Sequence, residues 1–158
     1  MKRVIIILIS LFSAVMLRAQ EMDIHFGAQL VVSTGQSAGL DFDMDIGNIM
    51  VGFSFYLDSG TIIEKGKEYS LSGPDGNGGA DSYNFMLGYV IKAANNIRIR
   101  PCAIGGMLKF PTDGDESNLN EKTFINYGAK LIASKGWFAL SLGISRLERI
   151  QIGVGLLF

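Results

Sequence analysis

Large apolar residues alternate with small or polar ones along much of this chain. Between residues 49 and 58, every second residue is large and apolar, from Ile49 to Leu57. Segments 83–92 and 150–158 repeat this period of two. Because successive side chains of a β-strand point to opposite faces, the pattern predicts strands with one apolar face.

Weaker segments with the same period bring the number of predicted strands to eight: residues 24–32, 40–46, 97–110, 123–133 and 137–144. The pattern in segment 97–110 changes phase near Gly105 and Gly106. A β-bulge there would place four apolar residues on one face: Ile97, Ile99, Leu108 and Phe110. The longer runs approach the length of a tilted membrane-spanning strand.

The predicted strands are joined by links of alternating length. Three links are short: residues 47–48, 93–96 and 134–136. Three are longer and rich in Gly, Ser, Asp and Asn: residues 33–39, 60–82 and 111–122. Short periplasmic turns and long external loops are typical of outer-membrane barrels. The last link, at residues 145–148, departs from this alternation because it is short where a long loop is expected.

The second face of the predicted strands is polar and contains many glycines. Since an eight-stranded barrel has little room inside, charges on this face should form ion pairs. The predicted lumen charge network contains seven residues: Asp41, Asp43, Asp58, Lys92, Arg98, Arg100 and Lys130. Aromatic residues near strand ends are candidates for interfacial girdles: Tyr56, Tyr83, Tyr127, Trp137 and Phe138.

The N-terminal segment has the features of a secretory signal. Lys2 and Arg3 precede an apolar run at residues 4–17, and Ala19 precedes Gln20. The run is shorter than the roughly 20 residues that a spanning helix needs. We therefore predict a signal peptide at residues 1–19 and one barrel domain at residues 20–158.

The composition agrees with this class of fold. Of the 158 residues, 48% are apolar and only 18% are charged, and the chain has 20 glycines and 3 prolines. The net charge of −1 includes the basic residues of the predicted signal, so the mature chain is more negative than the full sequence. A negative chain has no general attraction for nucleic acid. The single cysteine, Cys102, excludes an intramolecular disulfide.

The segment from Arg149 to Phe158, Arg-Ile-Gln-Ile-Gly-Val-Gly-Leu-Leu-Phe, resembles the terminal strand of outer-membrane barrels. In those proteins, the barrel assembly machinery reads this strand. The resemblance implies that the recognition elements are Ile152, Val154, Leu156 and Phe158. With the signal and the strand count, the chain resembles small barrels of the OmpA and OmpX type. This resemblance implies an all-β, eight-stranded, antiparallel, up-and-down transmembrane barrel in the bacterial outer membrane, with lipid as a partner.

Candidate chemistry is sparse. Some eight-stranded barrels are enzymes that act on lipid A and need a histidine beside a serine, but the single histidine, His25, is predicted at the periplasmic end. The acidic stretches 73–81 and 113–117 do not match an EF-hand, and ordinary turns explain them better. The glycines at 76–79 lack the Lys-Ser/Thr ending of a phosphate loop. We therefore predict no catalytic residue, no metal site and no cofactor.

The sequence favours a structural, adhesive or surface-interaction role over enzyme activity. Eight strands leave too little interior for a large-solute porin. The loops at 60–82 and 111–122 are candidates to contact an extracellular or envelope protein. Two alternatives remain open. One is a soluble, periplasmic, lipocalin-like binder of a small hydrophobic ligand, and the other is a barrel subunit of an envelope secretion system.

Overall fold

The described part of the chain is built from β-strands. The computed structural model describes residues 23–35, 37–58, 61–64, 67–70, 80–112 and 120–158. The predicted signal peptide lies outside these residues. Within them, no helix is long and apolar enough to cross a membrane.

The described residues form eleven strands: β1 (Ile24–Ser33), β2 (Ser37–Ile46), β3 (Ile49–Asp58), β4 (Thr61–Glu64), β5 (Lys67–Ser70), β6 (Ala80–Tyr89), β7 (Ile91–Ala94), β8 (Ile97–Thr112), β9 (Asn120–Lys135), β10 (Phe138–Ser145) and β11 (Arg149–Leu157). Strands β6 and β7 both pair with β8 and together occupy one strand position in the wall of the barrel. Each such position is called a stave. Strands β4 and β5 form a separate hairpin within the β3–β6 link.

The remaining strands close into an antiparallel barrel of eight staves. Each stave pairs with its neighbour in the chain, and β1 pairs with β11 in a register from Gly27 opposite Leu157 to Ser33 opposite Gln151. This closure confirms the prediction of an all-β, eight-stranded, antiparallel, up-and-down barrel. Because every stave has two neighbours, the barrel has no open sheet edge at its seam.

The predicted bulge in β8 is wrong. The β8–β9 register runs without a shift from Ile97 opposite Lys135 to Thr112 opposite Asn120. The phase therefore stays constant, and Ile104 and Leu108 point into the lumen, where they are buried. The strand keeps its alternation, and the large apolar residues move from outward to inward positions because Ile104 and Leu108 fill the interior.

The irregularity lies instead in the fourth stave: its pairing with β8 is interrupted at Val90, between β6 and β7, and its register shifts between Lys92 and Ala94. The last β6 pair with β8 is Gly88 with Cys102, and the first β7 pair is Ile91 with Ile99. Pro101 lies between these two partners on β8. Because proline has no backbone N–H to donate, it interrupts the ladder and separates the two strands.

The two ends of the barrel differ. At one end, tight turns at residues 47–48, 95–96 and 136–137 place Gly47, Asn96 and Gly136 at positive φ. At the other end, residues 59–79 and 113–119 form long links. The β1–β2 link is only residues 34–36, shorter than the predicted loop at 33–39 because β2 begins at Ser37. This short link joins the 146–148 turn, since Thr34 N donates to Ile150 O at 2.9 Å and Gly35 N to Glu148 O at 3.1 Å.

The outer surface of the barrel is apolar. Phe85, Leu142 and Ile144 are 68%, 59% and 63% exposed, whereas Asp41 and Arg100 are fully buried inside. The interior also contains an apolar layer: Met50, Met86, Val90, Cys102, Ile104, Ile132 and Ala139. Polar and apolar side chains therefore share the lumen.

Candidate functional site in the lumen

A buried ion pair lies within the barrel. Lys130 Nζ of β9 is 2.5 Å from Asp41 Oδ2 of β2, across the lumen. The hydroxyl of Tyr56 on β3 donates to Asp41 Oδ1 at 2.8 Å and accepts from Lys130 Nζ at 3.0 Å. Each charge thus has a partner of opposite sign and a further hydrogen bond, which offsets its loss of water.

A second group of charges lies closer to the tight-turn end. Arg100 Nη1 donates to Asp43 and lies 3.4 Å from Asp45 Oδ1. Gln29 Nε2 donates to Asp43 Oδ2 at 3.2 Å. The predicted network omits Asp45, although Asp41, Asp43 and Asp45 occupy every second position of one segment and therefore share a face.

The charges at the mouth of the tight-turn end are more exposed. Lys92 pairs with Asp23, and Arg98 lies 3.5 Å from both Asp23 Oδ1 and Asp45 Oδ2. The hydrogen bond from Lys92, with the positive charges of Arg98 and Lys92, holds the pKa of Asp23 below its usual value. Lys92 is therefore a mouth residue whose partner is Asp23. The side chain of Asp58, the remaining member of the predicted network, lies outside the described residues.

The sequence pattern does not mark one fully buried acid of the lumen, Glu148. Glu148 is fully buried beneath the long-loop end. Its carboxylate accepts hydrogen bonds from five neutral side chains: Ser82, at 2.9 Å; Asn84, at 3.1 Å; Asn126, at 2.7 Å; Gln151, at 3.3 Å; and Ser145. Among the described residues, no cation lies within ion-pair distance of it. Within the described part of the chain, this charge is therefore compensated by neutral donors.

The local backbone explains how Glu148 enters the barrel. Arg149 has φ of 62°, in the left-handed region that non-glycine residues rarely adopt. The strand alternation thus breaks at the 146–148 turn, and Glu148 is buried while Arg149 is exposed. Leu147 N donates to Asn126 Oδ1 at 3.1 Å, so the turn is fastened over the lumen. Alternation carries no information about a turn residue, and no other sequence signal marks Glu148.

Other candidate groups have ordinary partners. His25 Nε2 is 2.7 Å from Arg98 Nη2, and His25 Nδ1 is 3.4 Å from Asp23 Oδ1. Cys102 is buried, and its thiol donates to Lys130 O at 3.4 Å. Within the described ranges, no three His, Cys, Asp or Glu residues lie close enough together to hold a metal ion.

Four of the five predicted girdle residues are exposed on the outside of the barrel: Tyr83, Tyr127, Trp137 and Phe138. The fifth, Tyr56, is only 1% exposed and belongs to the lumen, so its prediction as a girdle residue is wrong. Tyr56 has the phase of Met50 and Ser54, and its hydroxyl requires the polar partner that Asp41 provides. Of the residues implied in assembly, Ile152, Val154 and Phe158 are exposed and Leu156 is half-buried.

Comparison with solved structures supports the barrel fold. The N-terminal β-barrel domain of OprF from Pseudomonas aeruginosa matches with a TM-score of 0.54 and 12% identity, over 85% of this chain and 96% of that one. Two structures of Ail, the attachment invasion locus protein of Yersinia pestis, match with TM-scores of 0.37 and 0.39 and identities of 16% and 18%, over 85% of this chain and 91% of each Ail chain. The second contains the heparin analogue sucrose octasulfate. Because both Ail scores are below 0.5, the argument for the fold rests on the OprF barrel and not on the Ail structures.

No model of a known protein family matches the sequence, and no curated protein matches it.

Proposed function

We propose that this chain is an integral outer-membrane protein with a structural or adhesive role. In this proposal, residues 1–19 direct export, and the barrel is a rigid, filled support for the loops at its long-loop end. The observation that carries the proposal is the distribution of side chains, with ion pairs inside and large apolar residues outside. A soluble barrel has the opposite arrangement.

A bilayer explains the apolar exterior. Exposed residues such as Phe53, Leu87 and Ile152 occur on staves around the barrel. Burying apolar surface is favourable by about 25 cal/mol per Å². In water, this exterior would be an unusually large exposed apolar surface. Closed strand pairing also satisfies the backbone groups that lipid cannot hydrogen-bond.

The same arrangement weighs against a lipocalin-like binder. Such a barrel needs an apolar cavity around its ligand. Here the centre contains the buried Lys130–Asp41 pair, and Glu148 and its donors close one end. Packed side chains thus occupy the space that a hydrophobic ligand would need. A filled interior also argues against passage of large solutes.

We infer that the loops make the protein's external contacts. The two long links, residues 59–79 and 113–119, connect the contiguous staves β3, β6, β8 and β9. The other half of this rim has only the short turns at 34–36 and 146–148. The long links thus connect staves on one side of the barrel, which favours contact with an extracellular or envelope protein through loops 60–82 and 111–122.

During biogenesis, the outward face of β11 would contact the barrel assembly machinery. Exposure of Ile152, Val154 and Phe158 supports this role. We expect Phe158→Ala to reduce the amount of protein in the outer membrane, and Phe85→Ala, on another stave, to have less effect. Equal losses for both variants would point to a general effect of removing an exposed aromatic side chain.

Membrane fractionation tests the proposed location. We expect the full chain, expressed in a Gram-negative host, to sediment with the outer membrane and resist carbonate extraction. Its electrophoretic mobility should change on boiling, as it does for closed barrels. Recovery as a soluble periplasmic protein would overturn the proposal.

The adhesive role needs a separate test. Replacing residues 61–70 with a short Gly-Ser linker removes the β4–β5 hairpin but none of the eight staves. We expect this variant to remain heat-modifiable and to lose binding of cells to extracellular matrix or envelope proteins. Unchanged binding would exclude this hairpin as the contact.

A further inference from the structure

An open apolar groove of about 760 Å³ crosses the outer surface of staves β8 to β11. The small residues Pro101, Ala103 and Ala129 line it on β8 and β9. Larger residues, including Leu142, Ile144 and Ile150, line it on β10 and β11. The groove therefore lies on the surface that the proposed function places in lipid.

The groove follows from small residues at successive outward positions of β8. Pro101 and Ala103 are followed on this face by Gly105, and a Cβ added to Gly105 would meet nothing within 4 Å. The corresponding faces of β3 and β6 carry Phe53 and Phe85, whose ring centroids are 5.6 Å apart. A lipid-facing surface needs only apolar residues, so the depression is a particular feature of this side.

Two arginines lie near the groove at the long-loop end. Arg146 Nη1 donates to Ile125 O at 2.9 Å, and Arg146 N donates to Tyr127 O at 2.9 Å, which holds this residue over β9. Arg149 is exposed and immediately precedes Ile150, a groove residue. The acid between them, Glu148, is fully buried in the lumen. Arg149 thus presents its positive charge outside, whereas Glu148 keeps its negative charge inside.

We propose that this face binds an anionic lipid of the outer leaflet. One acyl chain lies in the groove, and the phosphate of the head group is held by the exposed guanidinium of Arg149. Guanidinium groups bind phosphate oxygens through paired, charge-assisted hydrogen bonds. This inference rests on the proposed function, because the groove faces lipid only when the barrel spans a membrane.

Native mass spectrometry of the detergent-purified barrel provides the test. The probes are phosphatidic acid and phosphatidylcholine with identical acyl chains, together with inorganic phosphate. We expect phosphatidic acid to bind more tightly than phosphatidylcholine and inorganic phosphate to compete weakly. Arg149→Gln should weaken phosphatidic acid binding about fivefold, the contribution of one basic residue at a membrane surface. Lys135→Gln, which removes an exposed cation at the tight-turn end, should leave it unchanged.

The groove is tested by filling it. Ala129→Trp should reduce binding of both lipids, whereas Ala38→Trp, at an exposed alanine on β2, should not. Equal affinity for the two lipids, or equal behaviour of the two tryptophan variants, would overturn the inference. Inorganic phosphate that competes as well as the lipid would also overturn it, since the site would then bind the free anion.

Each variant is first checked for outer-membrane recovery and heat-modifiable mobility. If the wild type fails this check, the proposed function fails. If it passes and shows no preference for the anionic lipid, only the lipid site fails.

Discussion

Asn126 binds the 146–148 turn at two points: its Nδ2 donates to Glu148 Oε2 at 2.7 Å, and its Oδ1 accepts from Leu147 N at 3.1 Å. Asn126 Nδ2 is also 2.7 Å from Asn84 Oδ1. One amide side chain thus connects the closing turn to two staves of the barrel. The turn is consequently part of the interior packing.

Removing the Glu148 carboxylate should destabilise the barrel. In Glu148→Ala, the buried donors of Asn84, Asn126 and Gln151 lose an acceptor, and unsatisfied buried groups cost about 1–3 kcal/mol each. We expect a total loss of about 3 kcal/mol, measured from urea unfolding in detergent. Ser134→Ala is the matched control, because Ser134 Oγ is buried without a hydrogen-bond partner in the described structure. A loss no larger than that of the control would show that the donors find other partners.

The Lys130–Asp41 pair should show strong coupling. Lys130→Met leaves Asp41 buried with only the Tyr56 hydroxyl, and breaking a buried pair costs about 3–5 kcal/mol. Asp41→Leu should cost a similar amount, while the double variant should recover much of the loss. A double-mutant cycle on unfolding free energies measures the coupling, and additive losses would mean that the two charges do not depend on each other.

A charge on the outer surface distinguishes the membrane barrel from a soluble one. Phe85 lies in the middle of β6 and is 68% exposed. In lipid, Phe85→Arg should cost about 2–4 kcal/mol, whereas Phe85→Leu should cost much less. Unfolding from lipid vesicles measures this difference. A soluble protein would instead gain solubility from the arginine, with little change in stability.

Positive φ at the tight turns should make their glycines sensitive to substitution. Gly136 has φ of 60°, and an added Cβ would meet nothing within 4 Å. Gly136→Ala should therefore cost about 1 kcal/mol from backbone strain alone. Gly105→Ala has the same open space without the positive φ, so its stability should not fall. Equal unfolding midpoints for the two variants would contradict this explanation.

The contribution of Asp23 to the stability of the fold should disappear at acidic pH. The pKa of Asp23 is lowered in the folded state, so its ionised form favours folding above the usual value of 3.8. This contribution disappears as the pH falls through the lowered folded-state pKa. Wild type should therefore exceed Asp23→Asn in unfolding midpoint near neutral pH, and the difference should close well below pH 3.8. The difference should also shrink in high salt, because the mouth is exposed. A difference that is independent of pH would exclude the charge as its cause.

Alternation predicted the staves because it reports directly which side chains face outward. The same alternation assigns Asp41, Asp43, Arg100 and Lys130 to the polar face of the strands, and all four are buried. It also contained the correct position of Tyr56, since that residue shares the phase of Ser54. The girdle interpretation failed because it weighed residue type above phase.

The alternation could not predict features that depend on contacts between residues far apart in the sequence. Ile104 and Leu108 are apolar but inward, because the narrow interior needs volume as well as charge. Glu148 enters the lumen through one left-handed residue, Arg149, and is held there by residues from 82 to 151. No local period encodes such a turn or its distant donors.

The packed interior has a consequence for the cell that makes the protein. The side chains around Tyr56, Asp41 and Lys130 occupy the cross-section through which a nutrient or antibiotic would pass. If the barrel lies in the outer membrane as proposed, many copies in one envelope would leave the permeability barrier to such solutes intact, and abundance at the surface would be separated from leakiness.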